Sequence, residues 1–150
     1  PAPTPAPLPT ETAVALPTCG TAEEQAMAAA LNAARTSRGI AGLRSVSTIF
    51  TAARGHSELM AARDLLSHAL PGEPSPGDRL TEAGYEWYCY GETVGWAPTG
   101  DISVMLNSFL GSPEHRDILL STEYVDVGVG CAVSAAGGYY WTIDLASPRR

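Results

Sequence analysis

Lysine is absent from this 150-residue chain: its nine basic residues are all arginine, and they are scattered. Phosphate-backbone binding needs a clustered basic surface, so a net charge of −7 without such a cluster tells against nucleic acid. The same balance tells against docking on an anionic membrane. Long apolar runs are missing too, and no transmembrane segment is expected. The missing lysine, beside abundant Ala, Gly, Pro and Arg, points to GC-rich codons and carries no mechanistic weight.

Chemical signatures are also sparse. Ser57, Ser67 and Ser112 each lie near a histidine in sequence, yet none sits in a G-x-S-x-G elbow. No H-E-x-x-H helix and no phosphate-cradling glycine loop occurs. Cysteines number three, Cys19, Cys89 and Cys131, without C-x-x-C metal spacing. In an exported chain two of them pair. Cys89 and Cys131 both fall in strand-like segments and are the expected pair. Cys19, at the junction of tail and domain, is the alternative partner for either, and three inert thiols are the plain alternative.

What is present suits one globular domain. Hydrophobic residues make up 45% of the chain, enough for a sizeable core. The opening Pro1-Ala2-Pro3-Thr4-Pro5-Ala6-Pro7 lacks an initiator Met and reads as a processed N-terminus or an artificial boundary. Such a stretch favours extended polyproline structure, as a spacer or an idle tail. The expected organisation is a tail over 1–20, a domain over 21–147 and a short end at 148–150.

Thr21-x-x-Glu24 predicts a capping box, followed by Met27, Ala30, Leu31 and Ala34 at helical spacing. A second helix is expected from about Ser45 to Leu66, with Ile49, Ala53, His56 and Met60 on one stripe. Asp78–Ala83 reads as a short helical turn closed by Gly84. Residues 85–94 read as extended, Asp101 caps a third helix, and Pro113 opens a fourth. Alternation at Val125, Val127 and Val129, a Gly137-Gly138 turn and Tyr139–Leu145 predict a hairpin. The order gives α+β, with a small three-stranded antiparallel sheet covered by helices.

Three histidines separate by context. His56, on the apolar stripe, is read as a satisfied core histidine. His68 follows Ser67 at a helix end, where a side chain is readily presented to a cleft. His115 lies in a first helical turn, and Arg116 beside it is read as structural. His68 and His115 with Glu92 form a set suited to a divalent ion such as zinc, water completing the shell, or to a hydrogen-bonded network. They are separated by 24 and 23 residues, so the set exists only if the fold brings them together.

These residues carry a family resemblance. Leu31-Asn32-Ala33-Ala34-Arg35 resembles an L-N-x-x-R helix, and His56-Ser57-x-x-Met60-Ala61 with Ser67-His68 the helix and turn after it. Arg79 with Ala83-Gly84-Tyr85 resembles R-x-x-x-A-G-Y, and Gly91-Glu92-Thr93-Val94 resembles G-E-N-[VI]. Ser112-Pro113-x-His115-Arg116-x-Ile118-Leu119 resembles S-P-x-H-R-x-N-I-L. Gly128-Val129-Gly130 and Tyr140-Trp141-Thr142 complete the series. The chain thereby resembles the CAP superfamily, the SCP-like extracellular domains, over roughly residues 25–145.

The resemblance implies an α-β-α sandwich and a cleft of two histidines and two acids that binds zinc or another divalent ion in some members. His68, Glu92 and His115 match. Phe109 stands for the family's Trp, Ser112 for its second acid and Thr93 for its Asn. The expected function is a secreted or envelope-associated binding module, monomeric and without nucleic acid. Its cleft, lined by His68, Glu92, Ser112 and His115, takes a lipid, glycan or protein ligand. The alternative is a metal-dependent peptidase with His68 and His115 on the ion and Glu92 as base. A third reading makes the cluster purely structural.

Overall fold

A computed structural model describes residues 2–7 and 18–150. Residues 2–7 carry no regular secondary structure, and much of the expected spacer (residues 1 and 8–17) lies outside the described residues. The elements run α1 (Thr21–Thr36), β1 (Arg44–Ser45), α2 (Ser47–Arg63), α3 (Pro76–Glu82), β2 (Trp87–Ala97), α4 (Ile102–Leu110), α5 (Pro113–Leu119), β3 (Asp126–Val133) and β4 (Tyr139–Pro148).

The architecture is α+β, but the sheet has four strands in the order β1-β3-β4-β2. The expected antiparallel trio is β3-β4-β2. The extra strand, β1, pairs parallel with β3 through only two residues. So short a strand leaves no alternation for a sequence to display. It is tied down by Arg44, whose guanidinium pairs with buried Asp126 at 2.9 Å, while Tyr85 donates to the same carboxylate at 2.7 Å.

Side chains alternate across a strand, so the register sorts residues onto two faces. Val127, Leu145 and Gly91 share one row, and Val129, Ile143 and Thr93 another. This face meets Met27 and Leu31 of α1, Met105 and Phe109 of α4, and Leu119 of α5. The opposite face carries Gly128, Asp144 and Glu92 in one row and Gly130, Thr142 and Val94 in the next. Here α2 lies directly on β3. A Cβ on Gly128 would fall 2.3 Å from the Ile49–Phe50 backbone, and one on Gly130 2.2 Å from Ala53.

Two local expectations shift. The α1 N-cap is Gly20, whose N–H donates to Glu23 at 2.9 Å, and not Thr21. Glu24 is unavailable for capping because it is fully buried, forked by Arg54 and accepting the Cys131 N–H at 3.1 Å. The disulfide joins Cys19 to Cys131 and leaves Cys89 free. A Cys89–Cys131 bond is sterically out of reach. Cys131 lies opposite Trp141 and Gly95, whereas Cys89 lies opposite Ser147 at the far end of β2. Six residues along a strand span roughly 20 Å, against about 6 Å between bridged Cα atoms.

Candidate functional site

The polar site starts at the end of α2. Asp64 takes a left-handed conformation (φ 49°), and Tyr140 donates to its carboxylate at 2.6 Å, stopping the helix there. The next loop carries His68 and is pinned from beneath. His56 is fully buried, with Nε2 2.7 Å from the Ser67 carbonyl and Nδ1 2.7 Å from Glu73. It is the satisfied core histidine that its apolar stripe implies. Glu73 also accepts from the Leu70 N–H at 3.0 Å, and Arg79 donates to the His68 carbonyl.

His68 itself is about half exposed, and its Nδ1 lies 3.0 Å from Glu92. That hydrogen bond raises its pKa, against burial, which lowers it. Glu92 sits on β2 and is 6% exposed. Arg79 grips it with two bonds, 3.0 Å to one oxygen and 3.2 Å to the other. Burial pushes the Glu92 carboxyl up, but His68, Asp144 and Arg79 together pull it further down, to about 2. It is therefore ionised at neutral pH.

Asp144 completes the buried part. It faces Glu92 across β4 and β2, is 1% exposed, and neither of its oxygens makes a hydrogen bond of good geometry. Burial first, and then the Glu92 charge, push its carboxyl well above the usual range. Burial and the neighbouring charge both favour the neutral form of Asp144 over the ionised one.

The remaining expected residues make no hydrogen bond to this cluster among the described residues. His115 is half-buried and packs edge-on against Phe109, ring centres 5.2 Å apart. Among the described residues it has no hydrogen bond or ion pair to His68 or Glu92. Ser112 is the α5 N-cap but makes no side-chain capping bond. Arg116 pairs with its neighbour Asp117 at 3.2 Å on the surface. The fold thus joins His68 and Glu92 and leaves His115 unlinked to them.

A family model for the cysteine-rich secretory protein family, CAP, matches residues 28–145. The chain belongs to the CAP family. A curated relative, the uncharacterized membrane protein YlbC of Bacillus subtilis (strain 168), is 31% identical over 99 residues. That match covers 66% of this chain but only 28% of the relative. An extracellular protein of Bacillus anthracis containing an SCP domain superposes with a TM-score of 0.74 at 24% identity, over 83% of this chain and 40% of that one. An outer surface protein of Borrelia burgdorferi gives 0.80 at 12% identity, over 90% of this chain and all of the other. At these identities the two structures speak for the fold alone.

The family resemblance implies a cleft that could take a divalent ion. No group of three or more His, Cys, Asp or Glu among the described residues is placed to hold one. Glu92, expected beside the two histidines as a base or through water, accepts a bond from the Arg79 guanidinium on each oxygen. Arg79, Glu73 and Asp144 were not singled out from sequence as site residues. Asp144 left a usable signal: with Thr142 it puts polar groups on successive same-face positions of an otherwise apolar strand, Tyr140 to Leu145. A buried acid in such a strand requires a partner.

Proposed function

We propose that this CAP domain is a non-enzymatic binding module working outside the cytoplasm, in the medium or at the cell envelope. Its cleft around His68, Glu92, Ser112 and His115 engages a lipid, glycan or protein ligand. The observation that carries this reading is the Arg79–Glu92 fork. A general base works best with a pKa near the operating pH. A carboxylate held at about 2 and doubly bonded to arginine is a poor proton acceptor and a poor support for a metal-bound water. The Cys19–Cys131 disulfide supports an oxidising compartment. Similarity to an extracellular protein and an outer surface protein agrees with that placement. Among the described residues no helix is long and apolar enough to cross a membrane.

The competing reading is a metal-assisted peptidase with His68 and His115 on the ion and Glu92 as base. A peptide library incubated with purified protein and zinc separates the two. The binding reading expects no turnover, and calorimetric zinc titrations of wild type and His115→Ala that superimpose. Chelator-sensitive cleavage that disappears in Glu92→Gln would overturn it.

A further inference from the structure

A groove of about 560 Å³ runs between the first turns of α1 and α2 at the β1 edge of the sheet. Its lining includes none of His68, Arg79, Glu92 or Asp144. Its volume lies in the range of ligand sites. Gln25 contributes from α1, Ser45 from β1, and Ser47, Thr51 and Arg54 from α2, above Phe50. Phe50 is 9% exposed and belongs to the main core, so the floor is apolar and fixed.

The charge in this groove is cancelled. Among the described residues Arg54 is its one ionised lining residue, and its Nε and Nη2 fork the buried Glu24 at 2.6–3.2 Å. That grip holds the guanidinium in one orientation, and its Nη1 has no partner among the described residues. The Ser45 and Ser47 hydroxyls likewise make no hydrogen bond there. What remains is a set of neutral donors and acceptors around an apolar floor. An anion would find no net positive charge, and a lipid chain would strand the hydroxyls. A sugar ring presents hydroxyls at its rim and C–H groups on its face, and matches both.

We propose that this groove is a second binding site, for a neutral saccharide. It is independent of the His68 cleft and stands or falls separately from the function proposed above. The test is an amide NMR titration of the full chain with two neutral probes, chitotriose and maltotriose. At least one probe gives saturable shifts at Gln25, Ser45, Ser47 and Thr51, with Kd roughly millimolar and His68 and His115 unmoved. Thr51→Arg, an exposed position where added bulk fills the groove, weakens that binding about tenfold or more with the fold's spectrum intact. Gln25→Ala provides the same comparison if that variant does not fold. The proposal is overturned if neither probe shifts these signals in a saturable way, if the shifts survive both substitutions, or if a sulfated trisaccharide binds there in preference.

Discussion

Removing the guanidinium of Arg79 leaves Glu92 buried beside Asp144 without its counter-charge. Breaking a buried pair from one side typically costs about 3–5 kcal/mol. Arg79→Met is therefore expected to lower unfolding free energy by about that amount in urea titrations. Arg79→Lys recovers only part of it, because an ammonium cannot fork two oxygens. A loss below about 1 kcal/mol would show that the fork does not hold the site. The two acids respond to pH in opposite senses. Glu92 has its folded pKa depressed from 4.5 to about 2. Its contribution is present above the unfolded value and fades as pH falls from 4.5 through 2. Asp144 is raised above 3.8, so its contribution is full below that value and is lost as pH rises through the folded pKa. Asp144→Asn keeps the shape and removes the ionisation. Its urea midpoint should exceed wild type at neutral pH and match it near pH 3.5. A variant less stable at neutral pH would mean that Asp144 is ionised and paired there.

Contact between elements depends on small residues as much as on large ones. Gly128 and Gly130 let α2 rest on the β3 backbone, and the clash facing any added Cβ is with backbone that cannot turn aside. Gly130→Ala is expected to cost at least about 1–3 kcal/mol by thermal denaturation, more than Gly55→Ala, where an added Cβ meets nothing within 4 Å. Equal midpoints for the two would contradict direct packing. Most elements were legible because each had a local cause: the apolar stripe of α2, Asp101 capping α4 at 3.1 Å, Pro113 opening α5, the turn before β4. β1 was not, since two residues paired to a distant strand leave no period. The site was half legible. His68 and Glu92 stand out by residue type and position, and they meet. Arg79, Glu73 and Asp144 come from α3, a loop and β4, and only tertiary register brings them to Glu92. His115 matches the family motif and packs on Phe109, with no hydrogen bond to the Glu92 carboxylate among the described residues.

At the scale of the whole molecule, the Cys19–Cys131 bond closes a 112-residue separation, fastening the start of α1 to the end of β3. Beside it, Glu24 joins α1 to the Cys131 N–H and to Arg54 of α2, so helices on both faces of the sheet share one anchor. Loop-closure entropy for a cross-link of this span is worth about 4–5 kcal/mol in the unfolded chain, and native disulfides removed from small exported domains cost about 2–5 kcal/mol. Reduction, or Cys19→Ser, should therefore lower the unfolding free energy by a few kcal/mol. Cys89→Ser should change it little, because that sulfur has one weak contact, 3.9 Å to the Glu123 carbonyl. The comparison is sharpest with reductant as a second variable. Wild type and Cys89→Ser lose stability when reductant is added, while Cys19→Ser is already at the reduced level and does not respond. If Cys89→Ser were the insensitive variant, the pairing would be Cys89–Cys131. The register of β2 and β4 would then have to slide by about six residues, carrying Glu92 away from Asp144 and dismantling the polar site.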